Sequence, residues 1–440
     1  MTEPVPFFRP DLEQAEIDEV VATLRSGWLT TGPRTAAFEQ AFAEAVGARH
    51  AVALSSCTAA LHLATVCLDL APGQLVLVPT MTFAATAEVI RYAGAVPVLV
   101  DCDSETLNLD LDDAERKLTA LRTGTAATDR LPASIDREAP VVGIVPVHVA
   151  GRMLDLDALD AFAARHDLWR VEDAAHAFPA ARRVDRERTG GAARETTNDE
   201  ASWRRCGENT AEVTCFSFYA NKTITTGEGG MAVTDDAERA ARIRSLSLHG
   251  LSKDAWGRYT AKGAWDYRIV APGYKYNLTD IAAALGLHQL RRAETMRRRR
   301  EEIATLYAER LADIDEIELP PVGADHRLAA VQHAWHLFQI KLRPEALAID
   351  RDAFLDGLRE RGIGTSVHWR PLHLHPYWSE TFGWLPEHLP TASAVWRQTI
   401  SLPLFPTMRR DEIDRVVDAV RDLCRQHRRS GRRAPRPVEV

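Results

Sequence analysis

The chain has 440 residues, 45% hydrophobic and 26% charged, with 62 acidic and 54 basic groups and a net charge of −8. That is an ordinary globular composition of two-domain length, and the acidic balance argues against a nucleic-acid binder. No run of about 18 apolar residues occurs, so no membrane span is expected. The N-terminus, MTEPVPFFRPDLEQ, has no basic-then-apolar order, so no signal peptide is expected, and six scattered cysteines without a CxxC pair suit free thiols in a reducing cytoplasm.

Apolar residues at helical spacing predict an amphipathic helix over 11–25, broken by SGWLTTGP, and a second over 35–46. AVALSS then reads as a strand and TAALHLATVCL as its helix. QLVLVP (74–79) and TFAATAEVIRYAG repeat that pair, and AVPVLVDCD (95–103) adds a third strand. This β/α alternation predicts a mainly parallel sheet with helices on both faces. Residues 118–139 read as a polar surface excursion. VVGIVPVHVAG (141–151) reads as a buried strand, LDALDAFAARHD as a helix, and LWRV leads a further strand into Glu172 and Asp173. The stretch 181–211 is charged and nearly free of apolar residues, which predicts a mobile insertion, either a lid or a passive surface segment. Beyond 235 helical patterns dominate, with one long helical run after LTD. WHLFQIKL (335–342) and GTSVHWRPLH (364–373) read as strands, RDAFLDGLRERG and 411–426 as helices.

The chemistry concentrates in three stretches. TCFSFYANKTITTGEGGM (214–231) runs from a β-prone segment into Lys222 and a Thr/Gly-rich turn, and MAVTD (231–235) follows as a second strand. A lysine at the rim of such a unit is half desolvated, gives up its proton more readily and attacks carbonyls. VEDAAHAF (171–178) places Asp173 at the carboxyl end of a buried strand, where open α/β sheets bind ligands. A carboxylate there suits the ring nitrogen of pyridoxal phosphate (PLP), which must stay protonated for the ring to draw electrons. ALSSCTAALHLA (53–64) reads as strand, turn and a helix start near Thr58. Its N–H groups and the Thr58 hydroxyl offer a phosphate site, to which Ser217 adds a hydroxyl.

SFYANKTITTGEGG, EDAAHA, SSCTAALHLA and GYKYNLTDIAAALG (273–286) resemble the DegT/DnrJ/EryC1/StrS family of PLP-dependent sugar aminotransferases. The matching pieces run from SGWLTTGP at 26–33 to SLPLFPTM at 401–408, nearly the whole chain. The resemblance implies an α/β chain of PLP-dependent aminotransferase fold type I. A large domain with a mainly parallel sheet would span 1–290, a smaller α+β domain 291–428, and a disordered tail 429–440. It implies that Lys222 carries the cofactor as a Schiff base and moves a proton, that Asp173 pairs with the ring nitrogen, and that His176 meets the ring face or the 3′-oxygen. Thr58, Ala59 and Ser217 would hold the phosphate, and Phe83 would stack on the ring. Asn277 would reach the cofactor phosphate of a partner subunit, in a homodimer with shared active sites. Glutamate or glutamine would donate the amino group, and a nucleotide-linked deoxysugar would accept it.

Two other readings stand beside this one. A dehydratase of the same family is the nearer, but such enzymes typically carry His at the Schiff-base position, and Lys222 argues against it. A non-catalytic regulator on this fold is the other, and the set of Lys222, Asp173, Thr58 and Ser217 argues against that. Glu172 should face the opposite side of its strand from Asp173. His148 and His249 fit either a pocket or a structural place. SVHWRPLHLHPYW carries His368, His373 and His375, but its prolines and its lack of nearby Cys or carboxylates argue against a metal. With no GxGxxG or P-loop, any nucleotide belongs to the substrate.

Overall fold

Short β-branched runs and Ala- and Leu-rich helices alternate through the first half of the chain, and each strand buries both faces. A computed structural model describes residues 3–123, 130–183, 203–252, 268–323, 325 and 328–429. The helices are α1 (Gln14–Ser26), α2 (Pro33–Val46), α3 (Cys57–Cys67), α4 (Ala84–Tyr92), α5 (Leu111–Thr123), α6 (Leu156–His166), α7 (Ala237–Leu246), α8 (Asp280–Leu311), α9 (Arg351–Glu360), α10 (Pro376–Phe382), α11 (Pro390–Val395) and α12 (Arg410–His427). Strands β1 (His50–Leu54), β2 (Leu75–Pro79), β3 (Val96–Val100), β4 (Val141–Ile144), β5 (Trp169–Asp173), β8 (Val213–Ser217) and β9 (Gly230–Thr234) form a seven-stranded sheet. Its order is β1-β9-β8-β5-β4-β2-β3, with β9 antiparallel to both neighbours and all other pairings parallel. The mainly parallel sheet expected from the alternation is therefore present.

Two smaller antiparallel sheets complete the fold. One joins β10 (Ile317–Glu318), β12 (Phe338–Leu342) and β13 (Thr399–Leu402); the other joins β11 (Val331–Gln332), β6 (Ala181–Arg183) and β7 (Trp203–Arg205). Helix α8 ties the parts together. Its first half puts Ala283, Ala293 and Met296 into the cluster around Phe38 and Phe42, and its second half puts Ile303, Tyr307 and Leu311 into the core around Phe338 and Phe405. Residue 290, where the domain division was expected, lies inside this one continuous helix. Among the described residues no helix is long and apolar enough to cross a membrane.

Three stretches differ from the sequence reading. Residues 118–123 finish α5, and Leu118, Leu121, Leu131 and Ile135 enter the main core, so much of the expected surface excursion is packed structure. Widely spaced apolar residues hid this, because each lies on the buried side of a short polar segment. The stretch 364–373 is not a strand. It makes one bridge, Ser366 to Ser401, and then a 3-10 turn at Leu372–Leu374, since Pro371 interrupts any ladder. Both ends of the expected mobile insertion are ordered: 181–183 and 203–205 pair with each other, 181–183 also pairs with β11, and Cys206, Thr210 and Ala211 are buried. Residues 184–202 lie outside the described residues, as do 430–440 of the tail; Arg429 donates to the Leu347 carbonyl at 2.6 Å.

Candidate active site

β1, β5 and β8 run in one direction, so their carboxyl ends converge at one edge of the sheet, where ligands of open α/β sheets bind. β5 ends there in Asp173, β8 in Ser217, and β1 leads into the turn before α3. Ser56 caps α3, its Oγ accepting from Ala59 N–H at 3.0 Å, and Cys57 opens the helix one residue before the expected start. The Ala59 N–H expected to meet a phosphate is thus engaged by Ser56, while Thr58 sits half-buried in the first turn. Gly230 makes this arrangement possible. A Cβ there would stand 2.3 Å from the Ser56 carbonyl carbon and 2.5 Å from Cys57 N, so only glycine lets β9 pass so close to the helix start.

Asp173 is buried and held from several sides. Oδ2 accepts from Thr86 Oγ1 at 2.7 Å, Thr86 in turn bonds Thr82 Oγ1 at 2.7 Å, and Oδ1 accepts from Ala175 N–H at 3.1 Å. Thr86 lies in the first turn of α4 and Thr82 just ahead of the helix, four residues earlier. The sequence reading missed Thr86; its i,i+4 spacing from Thr82 was the available signal. Lys222 lies on the loop after β8, its N–H donating to the Tyr219 carbonyl at 2.9 Å. It keeps partial contact with solvent, yet dense packing around its ammonium lowers the pKa to about 8, against the opposing attraction of Asp173 and Cys57.

His176 is buried, with its ring stacked on Trp369 (5.0 Å between centroids, 18° between planes) and 4.1 Å from the His336 centroid. Burial drives its pKa well below the ordinary value, and Lys222 and His368 add to the effect, so its ring is neutral. His368 bonds Ser401 Oγ through Nδ1 at 2.9 Å, and burial with the Lys222 charge lowers its pKa to about 4. The other two histidines of that stretch diverge: His373 bridges Thr80 and Ser393 at 2.8 Å each, and His375 bonds the Arg370 carbonyl. His336 and Trp369 were not singled out in the sequence. Phe83 precedes α4 and its ring is 62% exposed. Ser217 is half-buried and its Oγ accepts from Tyr219 N–H at 3.4 Å.

Asn277 stands apart from the Lys222, Asp173 and His176 group. Its backbone bridges Leu54, its amide donates to Thr31 Oγ1 at 2.7 Å, and its carbonyl oxygen accepts from Lys275. The loop around it is pinned by stacked Tyr274 and Tyr276 and by Tyr276 on His62 Nδ1 at 3.2 Å. Asn277 does not cap the following helix, because Thr279 does. His249 lies in the same region, its N–H donating to the Tyr274 carbonyl at 2.8 Å.

On the far side of β5, Glu172 is fully buried and accepts from Thr210 Oγ1 at 2.6 Å and Thr214 Oγ1 at 3.0 Å. Burial alone would raise its pKa; His148 and the two hydroxyls outweigh that and lower it. His148, Glu172 and Cys206 bring ligand-type atoms within 4.8 Å of one another, the one such group among the described residues. Leu154 N–H donates to His148 Nδ1 at 3.2 Å, so the ring proton of neutral His148 sits on Nε2, 3.6 Å from Glu172 Oε2. That nitrogen is a donor and has no lone pair for a metal.

The chain matches the DegT/DnrJ/EryC1/StrS aminotransferase family over residues 10–421, and it belongs to that family. It is 42% identical to the spore coat polysaccharide biosynthesis protein SpsC of Bacillus subtilis, over 96% of this chain and 97% of that protein. It is 41% identical to the uncharacterized protein MJ1066 of Methanocaldococcus jannaschii, over 96% and 98%. The putative sugar aminotransferase Spr1654 of Streptococcus pneumoniae, solved in its PLP form, superposes with a TM-score of 0.78 at 30% identity, covering 96% of this chain and 99% of that one. The fold is that of the PLP-dependent aminotransferases of type I.

Proposed function

We propose that this sugar aminotransferase moves an amino group from glutamate or glutamine onto a keto group of a nucleotide-linked deoxysugar, with PLP as its cofactor. The observation that carries the reading is Lys222, a crowded lysine with its pKa near 8 at the strand ends where Asp173 is held by Thr86. The donor set fits PLP: a lysine without a tight carboxylate partner among the described residues, a supported carboxylate, a buried His176 with an unpaired Nδ1, and the start of α3 beside them. Bound there, PLP supplies a carbonyl for amine exchange and an electron sink for charge at the donor's α-carbon.

The chain's own residues divide the remaining work. Lys222 at a pKa of about 8 is neutral often enough near neutral pH to attack a carbonyl and to carry a proton. Asp173, oriented by Thr86, holds a proton on the ring nitrogen. His176 meets the ring or its 3′-oxygen, and Phe83 offers an exposed face for stacking. Thr58, Ser217 and the start of α3, with Ala59 released from Ser56, hold the phosphate. In a homodimer Asn277 reaches the partner's phosphate, which requires its amide to leave Thr31 and Lys275. The dehydratase reading is disfavoured by Lys222, and the regulator reading by the assembled set. Buried free thiols suit a cytoplasmic location.

The test is amino transfer from glutamate and from glutamine to a panel of keto-sugar nucleotides. Aminated sugar with stoichiometric keto acid is expected. Cofactor binding without transfer to any panel member would contradict the proposal.

A further inference from the structure

Three buried ring nitrogens near Lys222 have no hydrogen-bond partner among the described residues: Nδ1 of His176 and both nitrogens of His336. Leaving a buried polar atom unpaired is costly, so three in one place point to a partner acquired on ligand binding. Neither nitrogen of His336 reaches solvent; the ring lies against His176, 4.1 Å between centroids and tilted by 43°.

The backbone beneath His336 is fixed from two sides. Its N–H donates to the Ala150 carbonyl at 3.0 Å. Arg300, reaching from α8, donates to the carbonyls of Trp335 (3.3 Å), His336 (3.4 Å) and Leu404 (2.7 Å). Arg300 has no carboxylate within ion-pair distance among the described residues, so its buried charge is committed to holding this segment. Lys222, His368 and Arg300 are the charged or titratable groups that face the two rings, and together with burial they keep both imidazoles neutral. Each ring then owns one proton. In their present packed contact no such bond forms, but a turn of the side chains that moves the rings edge to edge gives one N–H to nitrogen bond, which satisfies two of the unpaired atoms without a net charge.

We propose that His336 is a positioning residue for His176: with the cofactor bound it donates to Nδ1 of His176, which fixes the His176 proton on Nε2, the nitrogen left to face the cofactor. The inference rests on the aminotransferase reading and on the place of His176 in it. It assigns a task to a residue outside the seven-stranded sheet, carried on the segment that leads into β12.

The test uses holoenzyme with ¹⁵N-labelled histidine. The ring-nitrogen spectrum should show His176 in one tautomer, with Nδ1 an acceptor and Nε2 protonated. His336→Phe keeps a ring and removes both nitrogens. It should lose that tautomer preference, shift the pH midpoint of the cofactor absorbance by about one unit, and lower kcat about tenfold with KM little changed. His336→Gln should recover part of each effect. Protonation of His176 at Nδ1 in the native holoenzyme overturns the proposal even if the Phe variant does not fold, and so does an unchanged midpoint and tautomer in His336→Phe. A native protein with no cofactor absorbance sinks the aminotransferase reading as well, which separates the two failures.

Discussion

Glu172 and Asp173 are neighbours on one strand, both carboxylates and both buried, but β5 turns them to opposite faces. Glu172 is sealed among Thr210, Thr214 and His148. Asp173 is held by Thr86 at one oxygen and by Ala175 N–H at the other, and its other surroundings are Cys57 and the charge of Lys222. The difference teaches that burial alone does not mark a functional acid. What marks Asp173 is support from behind combined with a reactive group in front, whereas Glu172 faces two hydroxyls and a histidine on the other side of the strand.

The largest expected effect breaks the open side. Asp173→Asn keeps the shape but removes the charge and one of the two accepting oxygens, and turnover should fall about 10²–10³-fold, the scale of losing one preorganised electrostatic contact. Steady-state kinetics at saturating cofactor measure it. A truncation on the sealed side acts on folding. Glu172→Ala strands the hydroxyls of Thr210 and Thr214, and should cost about 3 kcal/mol in urea unfolding, with KM unchanged.

A smaller effect sharpens the contrast through pH. The unfolded chain keeps the Lys222 proton up to its ordinary pKa of 10.5, whereas the folded chain releases it near 8. Stability of cofactor-free protein should therefore rise across that window. Lys222→Met should gain about 1–2 kcal/mol at pH 7, a gain that fades toward pH 10.5. Urea titrations at pH 7 and pH 10 would read this. The smallest effect is Thr86→Val, which leaves Asp173 charged but less well held; turnover should fall about tenfold with little change in melting temperature.

The chain announced much of this in advance. The alternation of strands and helices up to Asp173 was legible because each apolar run ends in a Gly, Pro or Ser signal. Asp173 was legible as a candidate because it closes a strand, and Lys222 because it stands between a β-prone run and a Thr/Gly-rich turn. His336 was not, since it lies far from the other site residues in sequence and reaches them only through packing, and Thr86, three residues after Phe83, was marked only by its spacing from Thr82. The ordering of 181–183 and 203–211 was hidden for a related reason. β6 pairs with β11, over a hundred residues away, and β7 joins the sheet through β6, and a charged local composition carries no trace of that distant partner.

The central claim is that Lys222 is the residue that holds the cofactor. Borohydride reduction of the native, PLP-loaded protein followed by peptide mapping tests it directly. The account predicts one pyridoxyl-modified peptide, carrying the label on Lys222, and none in Lys222→Ala. A label on any other lysine, or unreduced loss of the cofactor with Lys222 unmodified, would contradict it.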